Sequence, residues 1–363
     1  MFRMTQDSIM KSIMPARSGS ASGGKKIKIA VNGFGRIGRQ AFKIALDKPE
    51  IEIVGINDLS PTSVLAHLLK YDSNYGKFPG AISSDEKNII VDGNKYPVTA
   101  EKDPAMLPWG KLGVDVVIEC TGRFTDSASA SAHIKAGAKH VVISAPAKDE
   151  GMTPTVVLGV NPVGYTGQPI VSNASCTTNC ITPVLDILHN KFGVEKAFMS
   201  TIHSYTAEQN LVDGPPPGGK ANDLRRARAA AVNIIPTTTG AAISATQAIP
   251  ALKGKFDGIA FRVPTPVGSL SDFTLLLKKN VTKEEVNQAF IVASQTPKYK
   301  NILEVSNEPL VLADIVGNPA SAIIDLALTQ VVDGNFVKVV AWYDNEFGYS
   351  NRLVEEAILV GQK

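Results

Sequence analysis

Residues 27–58 carry the pattern that most narrows what this chain can fold into. "IKIAVNGFGRIGRQAFKIAL" sets alternating apolar Ile27, Ile29 and Val31 before Gly33, Gly35 and Gly38 in a G-x-G-x-x-G spacing. Apolar Ile37, Phe42, Ala45 and Leu46 then recur near helical spacing. A strand, a glycine turn and a helix in that order open a βαβ unit. Gly33 allows the tight turn, Gly35 lets the backbone approach a pyrophosphate, and Gly38 lets helix and strand pack closely, while the helix start offers N–H groups to phosphate oxygens. The next strand, "IEIVGIND", ends on Asp58, 20 residues beyond Gly38. A carboxylate there accepts hydrogen bonds from an adenosine ribose and repels a 2′-phosphate. The stretch predicts a dinucleotide site that favours NAD over NADP.

The remainder of the first half continues in the same style. "VDVVIECTG" (114–122), "HVVISAP" (140–146), "TVVLGVN" (155–161) and "PIVSNAS" (169–175) read as strands, with helical character over 127–137. Strands alternating with helices predict a parallel, doubly wound sheet. Beyond Cys176 the strands lengthen and lose their intervening helices: "KAFMSTIHSYT" (196–206), "FDGIAFRVPT" (256–265), "LSDFTLLLKK" (270–279) and "FVKVVAWYDN" (336–345). That texture predicts a mixed or antiparallel sheet in a second domain, with the boundary near residue 175. "SNRLVEEAILVGQK" reads as a final helix capped by Ser350. "DGPPPGG" (213–219) has to be a loop, because consecutive prolines continue neither a helix nor a central strand. At 363 residues the chain has room for two domains of roughly 150 residues each.

Composition removes several function classes. With 44% hydrophobic and 20% charged residues and a net charge of +3, the chain is an ordinary globular one without a dominant basic block. Nucleic acid and anionic membranes are not implied, whereas a small anionic substrate is compatible with the charge. No apolar run approaches the ~18 residues of a membrane span. Three cysteines are too few for a disulfide framework and point to a reducing, cytoplasmic compartment. Residues 1–25 stand apart: four methionines, one acidic residue and a Gly/Ser end describe a flexible N-terminal extension. Its basic, serine-rich character leaves an organelle transit peptide as the alternative.

Cys176 ends a strand of small residues and opens "TTNCITPVLDILH", a helix. Unpaired N–H groups at a helix start favour a thiolate, so its pKa is expected to fall. Cys180 lies one turn further on and reads as a small buried hydrophobe. A thiolate nucleophile needs a base, and the chain has five histidines. His189 is 13 residues along the same helix, on the order of 20 Å away by helical rise. His67 and His133 fall in helices of the first domain, and His140 precedes one of its strands. His203, at the end of the first long strand of the second domain, is left as the partner. No C-x-x-C, H-x-x-x-H or acidic cluster accompanies the cysteines, so no metal is expected.

With the glycine motif, "SNASCTTNCITP", "HSYT", "LRRARAAAVNIIPTTTGAA", "FRVPTP" and "WYDNEFGYSNR" in this order, the chain from Lys26 onward resembles the phosphorylating glyceraldehyde-3-phosphate dehydrogenases. The resemblance implies an α/β fold: an N-terminal Rossmann NAD-binding domain over 26–175, completed by the C-terminal helix 345–363, and an α+β catalytic domain on a mixed sheet over 176–344. It implies that Cys176 attacks the aldehyde of glyceraldehyde 3-phosphate, with His203 handling the proton. A thioester would follow, which inorganic phosphate cleaves to 1,3-bisphosphoglycerate. It places Thr206 and Arg262 in one phosphate pocket and Ser175, Thr177, Thr239 and Gly240 in the other. The alternative for the threonines of "PTTTG" is a cap for the helix that follows. By the same resemblance Asn345 orients the nicotinamide amide, and Arg36, Ile37, Asp58, Lys102 and Ser144 contact the cofactor. A homotetramer is implied. Two alternatives stay open: erythrose 4-phosphate as the aldehyde, and a cysteine-based redox sensor or binding protein. The "GPPPGGKAN" segment departs from the family pattern in a loop that reaches a neighbouring subunit.

Overall fold

The computed structural model describes residues 25–149, 151–162, 165–216 and 223–363. The N-terminal extension therefore lies outside the described residues, as does the end of the Pro/Gly-rich loop. The chain divides into two compact units. One takes the chain up to Val156 with Val163–Asn173 and Ser350–Lys363; the other takes Val157–Pro162 and Ala174–Tyr349.

The first unit is built on an eight-stranded sheet. Its strands are β1 (Ile27–Asn32), β2 (Ile51–Asn57), β3 (Ile82–Ser84), β4 (Asn88–Val91), β5 (Asn94–Thr99), β6 (Val116–Glu119), β7 (His140–Ile143) and β8 (Ile170–Ser172). The spatial order is β8-β7-β6-β1-β2-β5-β4-β3. From β8 across to β5 the pairings are parallel, and β5-β4-β3 close the edge as antiparallel hairpins. The strands and helices bury apolar faces such as Ala30, Val117, Val141 and Trp109 on one side and Val31, Phe42, Ile56 and Leu69 on the other. Helix α1 (Arg36–Leu46) follows β1 directly, and β1 and β2 end at the loops that carry Gly33 and Asp58.

The second unit holds another eight-stranded sheet. Its strands include the long β9 (Val194–Ser204), β11 (Phe256–Val263), β12 (Ser269–Leu277) and β13 (Phe336–Tyr343) and the short β10 (Ile235–Thr238). The sheet is mixed: β9 runs parallel to β11 and antiparallel to β12, and β12 pairs antiparallel with β13. Parallel pairing puts His203 directly opposite Arg262 in the register of β9 and β11. Helix α2 (Cys176–Phe192) lays Cys180, Ile181, Val184 and Leu188 into the core against Phe273, Leu275 and Val339.

Two local expectations are corrected, and one feature was not expected. Residues 155–161 do not form a strand: Thr155 makes one isolated bridge to Ser172, and the Val157 N–H donates to the Asn161 side chain at 2.7 Å. The chain there turns at Gly159, whose φ is +81°. Ser350 does not cap the last helix, α3, which runs Phe347–Gly361 with Ser350 inside it. Asp344 takes the capping position, its Oδ1 accepting from the N–H groups of Glu346 at 2.9 Å and Phe347 at 2.8 Å. The antiparallel hairpin at the edge of the first sheet has no counterpart in the sequence reading. Its signal was Asp92-Gly93, which adopt positive φ at +50° and +82°, as a two-residue hairpin turn requires.

Candidate functional site

In the first unit the glycine loop and the strand ends frame a cleft of about 270 Å³. Gly33, Gly35, Asp58 and Lys102 line it, together with Asn32, Asn57, Glu101, Thr121 and Phe124, which the sequence did not single out. Each glycine is there for a reason of geometry. Gly33 sits at φ +89°, and a Cβ on it would lie 2.7 Å from the Thr121 nitrogen. A Cβ on Gly38 would lie 2.0 Å from the Gly33 carbonyl oxygen, so helix and strand close together only over a hydrogen atom. Gly35 faces open space, and no side chain caps the start of α1. Asp58 is held in place by the glycine loop and by its own, Oδ2 accepting from the Phe34 N–H at 2.8 Å and Oδ1 from the Ser60 N–H at 2.9 Å. A bare helix start, an unobstructed glycine and a fixed carboxylate fit a dinucleotide: phosphates at the first, ribose hydroxyls at the last.

Arg36 reaches sideways, with Nη1 on Asp72 Oδ2 at 2.8 Å and its guanidinium over the Tyr75 ring. Ile37 and Gly38 belong to the first turn of α1, and Ser144 follows β7 and hydrogen-bonds Cys120. None of these four lines the cleft with its side chain. Beneath the cleft lies a polar network that sequence spacing could not reveal. Glu119 Oε2 accepts from Asn32 Nδ2 at 2.5 Å and from His133 Nε2 at 3.0 Å, while Oε1 accepts from the Thr121 N–H at 2.7 Å. Trp109 Nε1–H donates to His133 Nδ1 at 3.0 Å, which leaves the His133 proton on Nε2, facing Glu119.

If Asp58 repels a 2′-phosphate, Asp58→Ala should narrow the preference for NAD over NADP by about tenfold or more, since a like-charge clash costs several kcal/mol. Steady-state kinetics with both dinucleotides measure this. An unchanged ratio would place the discrimination elsewhere.

In the second unit the chain enters α2 through a strained turn. Ala174 has φ +55°, a region an alanine occupies only under constraint from its surroundings. Its carbonyl accepts from the Tyr349 hydroxyl at 3.0 Å. Ser175 caps the helix, its Oγ accepting from the Thr178 N–H at 3.0 Å. Cys176 is therefore the first helical residue, partly buried, with Sγ 3.4 Å from His203 Nε2. His203 Nδ1 lies 2.7 Å from the Ser204 carbonyl oxygen. The carbonyl is the closer of the two neighbours of Nδ1, so Nδ1 donates to it rather than accepting from Arg262, and the Nε2 lone pair faces the sulfur. Arg262 Nη1, 3.0 Å from Nδ1, shares the same carbonyl at 2.9 Å.

Burial, with the Arg262 cation second, lowers the His203 pKa to about 3, so the imidazole is neutral at ordinary pH. The Cys176 thiol corrects the sequence expectation. Burial pushes its pKa up, and the Arg262 charge with hydrogen bonds from Thr177 and the backbone N–H only partly offsets this. A helix start alone does not make the thiolate in the free protein; the neutral imidazole, 3.4 Å from the sulfur, stands where it could take up the thiol proton only as the sulfur reacts. Cys180 is fully buried in the core, and burial raises its thiol far above the ordinary range. His189 instead accepts from the Val194 N–H, at the far end of α2.

The expected phosphate ligands are placed as follows. Thr206 Oγ1 and Arg262 Nε are buried without a hydrogen-bond partner among the described residues. Such orphaned polar atoms are costly unless a ligand or water meets them. Thr177 Oγ1 lies 3.0 Å from the Tyr343 hydroxyl, which also reaches Thr201 Oγ1 at 2.7 Å. Thr239 Oγ1 accepts from the Ala241 N–H at 3.2 Å, so "PTTTG" does serve the helix Ala241–Ala248 that follows it. Gly240 is exposed at that helix start, with nothing near its missing Cβ. Asn345 Oδ1 accepts from the Gly268 N–H at 2.8 Å, which leaves its Nδ2 to donate. Among the described residues no cluster of His, Cys, Asp or Glu could hold a metal, and no helix is long and apolar enough to cross a membrane.

A dinucleotide cleft in one unit and a cysteine–histidine pair in the other fit one class, the nicotinamide-dinucleotide-dependent oxidoreductases. Sequence comparison narrows it. Residues 27–127 match the family described as glyceraldehyde 3-phosphate dehydrogenase, NAD binding domain, and residues 175–345 match its C-terminal domain. Glyceraldehyde-3-phosphate dehydrogenases of Streptomyces coelicolor and Geobacillus stearothermophilus are each 50% identical over 93% of this chain and 99% of their own. That of Mycobacterium avium is 51% identical over the same shares. The chain belongs to the glyceraldehyde-3-phosphate dehydrogenase family, NAD-dependent oxidoreductases.

Proposed function

We propose that the protein oxidises glyceraldehyde 3-phosphate with NAD and inorganic phosphate to 1,3-bisphosphoglycerate, through a thiohemiacetal and a thioester on Cys176. The single observation that carries this reading is the Cys176 Sγ to His203 Nε2 contact of 3.4 Å, with Nδ1 pinned on Ser204. As Sγ adds to the aldehyde carbon, its proton passes to Nε2 and returns to the new oxyanion, giving the neutral thiohemiacetal. Nε2 next takes the hydroxyl proton, so that the C–H bond can release hydride and leave a thioester. NAD, when bound, supplies the hydride acceptor. Phosphate then attacks the thioester carbon, and Cys176 leaves as a thiolate, a better leaving group than an alkoxide.

Arg262 and Thr206 hold the substrate phosphate in this reading, where a guanidinium meets phosphate with paired hydrogen bonds. Ser175, Thr177, Thr239 and Gly240 receive the attacking phosphate. Asn345 donates to the nicotinamide amide; Gly33, Gly35, Arg36, Ile37, Gly38, Asp58, Lys102 and Ser144 serve the cofactor. The first unit serves as the cofactor domain and the second as the catalytic domain, in a cytoplasmic homotetramer working in glycolysis or gluconeogenesis.

NADH formation from glyceraldehyde 3-phosphate, with and without phosphate, tests the proposal. Sustained turnover should require phosphate, and NAD should outperform NADP. Turnover that ignores phosphate, or a higher kcat/KM with erythrose 4-phosphate, would sink it.

A further inference from the structure

Arg262 does not face the substrate pocket as a free cation. Glu208, two residues beyond Thr206, puts Oε1 against Arg226 Nη1 and 3.8 Å from Arg262 Nη2. The two arginines are not equally satisfied. Arg226, its side chain 8% exposed, has Nε 2.9 Å from Thr237 Oγ1 and 2.8 Å from Asp223 Oδ2 besides Glu208. Arg262 has Nη1 on the Ser204 carbonyl, but its Nε is buried without a partner, as are Thr206 Oγ1 and Gln209 Nε2 on the turn that carries Glu208. At 3.8 Å the contact of Glu208 with Arg262 is longer than a hydrogen bond. The Glu208 side chain is 37% exposed, far more than either arginine, so its carboxylate can turn toward water while the arginines stay fixed. The formal charges of Arg226, Arg262, Glu208 and Asp223 cancel. A phosphate dianion thus enters a pocket whose positive charge already has a partner.

We propose that Glu208 is the resident counter-ion of the substrate-phosphate pocket: it neutralises Arg262 in the free enzyme and turns away from it, remaining on Arg226, when a phosphate monoester binds. The inference rests on the reading of Arg262 as a phosphate ligand. Glu208 then acts as a specificity residue. An anion has to outcompete the carboxylate, and a phosphate monoester does so by adding hydrogen bonds to Arg262 Nε and Thr206 Oγ1. A weakly hydrogen-bonding anion gains no such advantage, so the carboxylate raises the threshold for entry.

Inorganic sulfate, as a competitive inhibitor against glyceraldehyde 3-phosphate, is the probe. Glu208→Gln keeps the length of the side chain and one acceptor oxygen for Arg226 and removes its charge. Its sulfate inhibition constant should fall roughly 3- to 10-fold, with a steeper dependence on ionic strength, because a competing charge has gone. A side chain that merely braced the arginines would give the opposite sign, since its loss would loosen them. An unchanged or raised constant therefore overturns the proposal. If E208Q does not fold, Glu208→Asp draws the charge back by one methylene; a smaller fall supports the proposal, and no fall overturns it. Arg262→Gln separates the two readings. Sulfate binding that survives E208Q unchanged but is lost in R262Q refutes the counter-ion alone. Sulfate binding indifferent to R262Q refutes the phosphate-site reading and the counter-ion with it.

Discussion

Cys176→Ser should abolish turnover, lowering kcat on the order of 10⁴-fold or more, because an alcohol lacks both the acidity and the leaving ability of the thiol. The base is the reason the loss should be so large. His203 is neutral and held at about pKa 3 by burial and Arg262, so it is a weak base. It can share a thiol proton at 3.4 Å as sulfur attacks, but not the far less acidic proton of serine. The second step fails as well, since phosphate would have to expel an alkoxide from an ester. The dinucleotide cleft lies in the first unit and none of its lining residues comes from α2. NAD affinity, measured by titration, should therefore be unaltered. A serine variant that reduced NAD at the normal rate would refute the nucleophile, and one that lost NAD affinity in parallel would point to misfolding.

The cofactor cleft was readable because its demands fall on residue type. Only glycine tolerates φ +89° at residue 33, and only glycine lets residue 38 approach the carbonyl of residue 33; both demands appear as letters in the sequence. His203 was reachable by elimination because the histidines are few. Other features leave no such trace. Ala174 holds φ +55° just before the nucleophile, and nothing in "SNASC" distinguishes it from an alanine in a strand. Glu119, His133 and Trp109 meet only through the pairing of β6 with its neighbours and the packing of the helix at Ser127–Lys135. Glu208 and Arg226 are 18 residues apart, joined by the fold of a loop rather than by a helical repeat. The reading of the Cys176 thiol failed for a related reason: a helix start is a local property, whereas burial depends on the whole sheet packed behind it. Residues 155–161 show the reverse case, an apolar run with the spelling of a strand that a side-chain-closed turn diverts.

His203→Asn should lower kcat by roughly 10²- to 10⁴-fold, the range over which a positioned base contributes, with a smaller change in KM. Asparagine retains a polar side chain that can still hydrogen-bond near Sγ, but it can neither accept the thiol proton nor take the hydroxyl proton as hydride leaves. The variant also separates the base from the fold through its pH behaviour. In the folded protein burial and Arg262 hold the His203 pKa at about 3, whereas in the unfolded chain it has the ordinary value of 6.5. Below pH 6.5 the unfolded chain binds a proton that the folded chain refuses, so this histidine costs stability progressively as the pH falls toward 3. The asparagine variant lacks that loss. Denaturant titrations at pH 7 and pH 5 should show a smaller drop for the variant than for the parent protein, while phosphate-dependent turnover at pH 7 falls as stated. Equal drops would mean that His203 is not held neutral, and the Nε2 lone pair assigned to face Cys176 would be lost with it.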